Sequence, residues 1–262
     1  MPENTKNILH ISGLSKRYRG LLAVNSFDAA FDQGGVYGLI GTNGAGKTTV
    51  LNMVSGTVRP TSGSIAFEGR ELAGMAPHKV ARAGIARTFQ NLRLFPSMSV
   101  LDNVMAAAQM HKTYNFFQSI LLSPGYRRED AALRQESMAA LEMVGLQDMA
   151  DALSSSLPYG AQRKLEIARA LATKPKLILL DEPAAGMNPQ ESRELMAIIL
   201  KIRDQSGACI ILIEHDMKVV MGICEYVYAM AFGEIISHGL PQDVIRDPKV
   251  VEAYLGGASH SA

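Results

Sequence analysis

Three observations predict an α/β fold with a mostly parallel sheet. The runs Leu177-Ile-Leu-Leu180 and Ala208-Cys-Ile-Ile-Leu-Ile213 are apolar without interruption, the pattern of strands covered on both faces. Residues 189–203 between them have helical spacing behind a proline, and their length suits a crossover that returns the chain to a parallel neighbour. A third apolar run, 36–40, passes straight into a glycine-rich loop and then a helical pattern over 48–55, which Gly56 stops.

The other elements are placed around this frame. Residues 8–14 and 23–31 read as strands and are expected to form an N-terminal antiparallel β subdomain. From 77 to 153 the texture turns to Ala, Leu, Met, Arg and Glu, with helical stretches at 100–110 and 127–144. Ser123-Pro-Gly-Tyr126 reads as a turn between those two stretches. A helical subdomain, 77–153, is therefore expected inside a body made of 1–76 and 154–240. Tyr226-Val-Tyr-Ala-Met230 and Glu234-Ile-Ile-Ser-His238 flank Phe232-Gly233 as a hairpin, and short helices at 241–246 and 250–255 end a tail over 241–262. The whole, 1–262, reads as a single domain without internal repeats.

Composition excludes several classes. Lys and Arg total 26 against 25 Asp and Glu, so the balance implies no nucleic acid as partner. No apolar run approaches the roughly 18–20 residues of a membrane span, and the N-terminus lacks the apolar core of a signal peptide. Any dealings with a membrane are expected to go through another protein. The only cysteines, Cys209 and Cys224, fall in an apolar strand and a following helix, which fits reduced thiols and a cytoplasmic location. The 14 methionines read as helix-face core.

The loop Gly41-Thr42-Asn43-Gly44-Ala45-Gly46-Lys47-Thr48-Thr49 fits G-x-x-x-x-G-K-[ST] and marks a P-loop NTPase core. Its glycines let backbone N–H groups turn inward, and the helix behind adds the positive end of its dipole, a cradle suited to a polyphosphate. Lys47 would meet the β- and γ-phosphates, and Thr48 would give its hydroxyl to Mg²⁺. Leu177-Ile-Leu-Leu-Asp-Glu-Pro183 is a buried strand ending in two carboxylates at the sheet edge where such folds bind ligands. Asp181 suits a metal ligand and Glu182 a base for water; a salt bridge is the other use of Glu182. Gln90, in Arg87-Thr-Phe-Gln-Asn91, can ligate Mg²⁺ or a water without adding charge, or cap a loop. His215, after an apolar strand, can bond a γ-phosphate oxygen or cap a helix. Tyr18 can serve as an edge-strand aromatic.

The stretch Leu157-Pro158-Tyr159-Gly160-Ala161-Gln162, followed by Arg-Lys-Leu-Glu-Ile-Ala-Arg-Ala-Leu171, resembles the signature motif and helix of ABC-type ATPases, usually L-S-G-G-Q. With that resemblance Gln90 looks like the Q-loop glutamine, His215 the switch histidine, and Tyr18 the aromatic that stacks on adenine. It implies ATP and Mg²⁺ as cofactors, with Thr48, Gln90 and Asp181 at the metal and Glu182, His215, Gln90 and Lys47 in catalysis. It also implies a head-to-tail pair of ATPase subunits, each ATP lying between one chain's glycine loop and the other's signature. Two departures stand out. Pro158 replaces the usual serine and offers neither hydroxyl nor N–H, although proline fits a helix's first turn. Asn188 stands where an aspartate is common and drops its charge.

Further phrases resemble the larger ATPase subunit of branched-chain amino-acid importers: Gly20-Leu-Leu-Ala-Val-Asn25, Gly84-Ile-Ala-Arg-Thr-Phe-Gln-Asn-Leu-Arg-Leu-Phe95, Asp181-Glu-Pro-Ala-Ala-Gly-Met-Asn-Pro189, Ile213-Glu-His-Asp-Met-Lys-Val-Val-Met221 and Asp247-Pro-Lys-Val-Val-Glu-Ala-Tyr-Leu-Gly256. An insert over 109–128 points the same way. The resemblance implies a cytoplasmic subunit docked under two membrane permeases and served indirectly by a periplasmic solute-binding protein. Leu92-Arg-Leu-Phe95 is the expected permease contact, and the aromatic stretch 114–122 either extends it or fills the subdomain core. Urea-uptake and lipopolysaccharide-export ATPases are the nearest alternatives, and a non-transport P-loop ATPase is the other class.

Overall fold

In the computed structural model, residues 7–111 and 124–256 are described. They separate into two units, one reaching Arg87 and resuming at Lys176, the other spanning Thr88–Pro175. The first unit opens with a long hairpin, β1 (Asn7–Tyr18) and β2 (Leu21–Asp32), followed by β3 (Val36–Gly41), every residue of which is buried. The glycine loop leads into α1 (Lys47–Val54), and then come β4 (Ser62–Phe67), β5 (Arg70–Glu71), α2 (Pro77–Arg82) and β6 (Ile85–Arg87). The second unit holds α3 (Val100–Ala108), α4 (Pro124–Val144) and α5 (Tyr159–Ala172), packed on one another. The first unit then continues through β7 (Leu177–Asp181), α6 (Pro189–Ser206), β8 (Cys209–Ile213), α7 (Met217–Ile223), β9 (Tyr226–Ala231), β10 (Glu234–Gly239), α8 (Pro241–Arg246) and α9 (Pro248–Gly256).

Two sheets result. One is antiparallel in the order β2-β1-β4-β5; the other runs β10-β9-β3-β8-β7-β6, parallel except for β10. The uninterrupted apolar runs are its central strands, as their lack of alternation requires. The sheets share one core. Phe27 and Phe31 of β2 meet Tyr228 of β9, and the Phe31 ring lies 5.0 Å from that of Tyr37.

The structure adds three strands that the sequence pattern does not announce. β4 has only Ile65 and Phe67 as buried apolar residues, β5 has two residues, and β6 has three, too few for a readable period. Unit boundaries also differ from 77 and 153. Helix α2 buries Val80 and packs beside β6, so both stay with the sheets, whereas the helix behind the signature motif joins α3 and α4. Pro124 opens α4 instead of sitting in a turn; proline suits a helix's first turn because its missing N–H would have no partner there. The stretch 114–122 and most of the insert 109–128 lie outside the described residues. Cys209 and Cys224 are both free and buried, Cys224 directly after α7 and not within it. Among the described residues no helix is long and apolar enough to cross a membrane.

Candidate functional site

The loop after β3 is shaped by contacts that exclude a side chain. A Cβ on Gly41 (φ 144°) would fall 2.1 Å from the Met230 carbonyl, and one on Gly46 (φ 101°) would fall 2.5 Å from that of Ala23. Both positions need glycine, for space and for backbone angle. Ala45 is buried and closes a tight turn with its N–H to the Thr42 carbonyl (3.2 Å), while Asn43, Gly44 and Thr48 are exposed. Lys47, Thr48 and Thr49 form the first turn of α1, where N–H groups have no carbonyl four residues back. The Lys47 ammonium donates to the carbonyls of Gly41 (2.6 Å) and Thr42 (2.9 Å). Burial pushes the Lys47 pKa down, and the charges of Glu182 and Asp181 oppose that shift.

Asp181 ends β7 and is buried beside Arg87, whose guanidinium reaches it at 3.0 Å. The same guanidinium donates to Asn52 of α1 (2.7 Å) and to Ser55 just after it (2.9 Å), tying the end of β6 to the helix behind the glycine loop. Glu182 has left-handed backbone (φ 51°), rare for a residue with a side chain and costing about 1–3 kcal/mol. Its N–H is held by the Ile213 carbonyl at 3.0 Å, and its carboxylate lies 3.1 Å from Nε2 of His215. Next to His215, the buried Glu214 accepts the N–H groups of Ala184 (2.9 Å) and His215 (3.3 Å). One carboxylate therefore joins the segment after Glu182 to the segment carrying His215. Burial raises the pKa of Glu214.

Lys47, Asp181, Glu182 and His215 are thus brought together at the C-terminal edge of the parallel sheet. Tyr18 sits at the turn end of the β1–β2 hairpin, paired with Leu21 and exposed, with the Lys16 ammonium 4.9 Å from its ring centre. Asn188 caps α6: its side chain accepts the N–H groups of Gln190 (2.9 Å) and Glu191 (3.0 Å), and Glu191 accepts that of Asn188. The position lacking the usual charge has a capping role in this chain. Thr48 and Asp181 supply hard oxygen donors of the kind Mg²⁺ takes. Among the described residues no group of three or more Asp, Glu, His or Cys could hold a metal by itself, so phosphate and water oxygens would complete such a site.

Gln90 and residues 157–162 belong to the second unit. Arg163, buried in α5, connects them: its guanidinium donates to the carbonyls of Phe89 (2.9 Å) and Gln90 (2.5 Å) and to the Tyr159 hydroxyl (2.8 Å). Pro158 is the extended N-cap residue of α5 (φ −56°, ψ 154°), one position before the first turn expected for it, and no side chain caps this helix. The Gln162 amide folds back to the Leu157 carbonyl at 2.9 Å, and Gly160 is buried. Phe95 is half exposed on the loop before α3, its backbone held by Asn103 and Ser154 and its ring under Arg169. Arg87, Arg163 and Glu214 carry no motif of their own. Only their position inside quoted phrases, charged among residues with assigned roles, hinted at a purpose.

The family model described as ABC transporter matches residues 24–185, and one described as branched-chain amino acid ATP-binding cassette transporter matches residues 234–260. The chain is 42% identical over 254 residues to the high-affinity branched-chain amino acid transport ATP-binding protein BraF of Pseudomonas aeruginosa, covering 97% of this chain and 100% of that one. It is 41% identical to the corresponding LivG of Escherichia coli K12 (96% and 98% covered) and 36% identical to the lipopolysaccharide export ATP-binding protein LptB of Acidithiobacillus ferridurans (95% and 97%). Among solved structures, the ADP conformation of MJ1267, an ATP-binding cassette of an ABC transporter, superposes with a TM-score of 0.84 at 29% identity, covering 96% of this chain and 100% of that one.

Proposed function

Because the chain belongs to the ABC transporter family of ATPases, we propose that it is the ATP-hydrolysing subunit of an importer for branched-chain or related amino acids. The single observation that carries the catalytic part is the pairing of Glu182 with His215 at 3.1 Å on the edge that also holds Lys47 and Asp181. The substrate part rests on the relatives' names and on the branched-chain match over 234–260.

In this reading the loop 41–49 cradles the phosphates of ATP, Tyr18 stacks on its base, and Lys47 exchanges its loop carbonyls for phosphate oxygens. Glu182 takes the proton of the attacking water, and His215 orients Glu182 and bonds the γ-phosphate as charge develops. Mg²⁺, held through Thr48 and Asp181, would neutralise phosphate charge. Gln90 as a further metal ligand, and 157–162 as the surface offered to a second ATPase subunit's nucleotide, keep the roles that family membership suggests. Two permeases, with Phe95 at the contact, a periplasmic binding protein and a cytoplasmic location complete the proposal. Closing of the ATPase pair on ATP would move the permeases.

Glu182→Gln should lower ATP turnover by roughly 10²–10⁴ while ATP still binds. Normal hydrolysis by that variant would remove Glu182 from the role. Uptake of labelled leucine, isoleucine and valine should fall in a strain lacking the gene; unchanged uptake of all three would favour lipid export, the reading suggested by the LptB relative.

A further inference from the structure

The C-terminal helix carries a phrase, Pro248-Lys-Val-Val-Glu-Ala-Tyr-Leu-Gly256, for which hydrolysis has no use. Its stripe toward the body runs through Val250 and Tyr254, a spacing of four that shares one helix face, with the extended Asp247 just before the helix. Asp247 fastens the start: its carboxylate accepts the Lys249 N–H at 2.9 Å and bonds Ser237 of β10. Val250 is buried one turn on. A turn later the partly buried Tyr254 hydroxyl accepts the N–H of Gly41 at 3.0 Å. Gly41 is the last residue of β3 and the first of the phosphate loop, and its carbonyl holds Lys47 at 2.6 Å.

Gly41 is thus fixed on both sides, its N–H by the tail and its C=O by the lysine. No side chain can stand between them, because a Cβ there would strike the Met230 carbonyl. Glycine is the residue whose two backbone angles are least restricted by itself, so a bond on its N–H narrows where its C=O points. The direction of that C=O sets how firmly Lys47 is held back from a phosphate.

We propose that Tyr254 is a positioning residue for the nucleotide loop: the tail helix, through its hydroxyl on the Gly41 N–H, sets the carbonyl that holds Lys47 and thereby tunes nucleotide affinity. This rests on reading the loop as the nucleotide site. Its chemistry is that of one hydrogen bond, so the effect is a matter of several-fold and not of loss.

The test uses the full chain with Tyr254→Phe, which removes the hydroxyl and keeps the ring. The Gly41 amide should exchange with solvent faster, and the dissociation constants of ATP and ADP should change by about three- to tenfold. ATPase KM should move with them, while kcat at saturating ATP stays within about twofold. Faster exchange with unchanged nucleotide affinity would overturn the proposal, as would unchanged exchange. A second measurement needs no variant: in the unaltered chain, saturating ADP should change the exchange of the Gly41 amide, and an amide indifferent to ADP would overturn the coupling. Lys47→Ala separates the two readings. Retained ATP binding by Lys47→Ala counts against the nucleotide site itself; lost binding there, with normal affinity in Tyr254→Phe, overturns only the tail's role.

Discussion

Arg87 lies three residues before Gln90, and its guanidinium joins Asp181 to Asn52 and Ser55. A buried carboxylate deprived of its cation is costly, so Arg87→Met should lower the unfolding free energy by about 3 kcal/mol in denaturant titration. Arg87→Lys should recover only part, since an ammonium cannot copy a planar fork aimed at three acceptors. An unchanged transition midpoint in both would show the bridge to be idle. Lys47, Asp181 and Glu182 were legible because their spacing to glycines and to a strand end is itself the signal. Arg87, Arg163 and Glu214 were not, because their partners lie 32 to 94 residues away for Arg87, up to 74 for Arg163 and 30 for Glu214.

Helix α5 begins after the N-cap residue Pro158 without a side-chain cap, unlike α6, which Asn188 and Glu191 close reciprocally. Serine at an N-cap accepts an N–H of the next turn, so Pro158→Ser should stabilise the chain by about 0.5–1 kcal/mol in thermal unfolding. It should also raise ATP turnover of the assembled complex if the proline weakens the site completed for the partner subunit. Unchanged or lower turnover would sink that second part and leave the capping effect standing. The helical period of α6 and the unbroken apolar run of β8 were readable; β4, β5 and β6 were not, being too short or too polar and existing only because a neighbouring strand pairs with them.

At the scale of the whole molecule, burial has raised the pKa of two thiols and three phenols, Tyr37, Cys209, Cys224, Tyr228 and Tyr254; Cys224 reaches about 12. A raised folded pKa means that the unfolded chain releases its proton first. Their contribution is therefore complete below the ordinary thiol value of about 9 and is lost as pH rises toward the folded values. Lys47 and Arg169 have the opposite sign, their lowered pKa values favouring the fold as pH rises, but they are two against five. The unfolding free energy should fall above about pH 9, by up to roughly 1.4 kcal/mol per pH unit per group, read from denaturant titrations across that range. The double change Cys209→Ala and Cys224→Ala should flatten that limb, and an identical slope would assign the loss to other groups.

The sequence by itself determined the α/β class, the glycine loop with its lysine, the paired acids and the family, because each is written in neighbouring residues as spacing or apolar period. Only the tertiary structure decided which elements the two units comprise, that Glu214 joins the Glu182 and His215 segments, and that Tyr254 reaches back 213 residues to Gly41. Those contacts depend on chain closure across long separations, and no local pattern records which distant group a hydrogen bond will find.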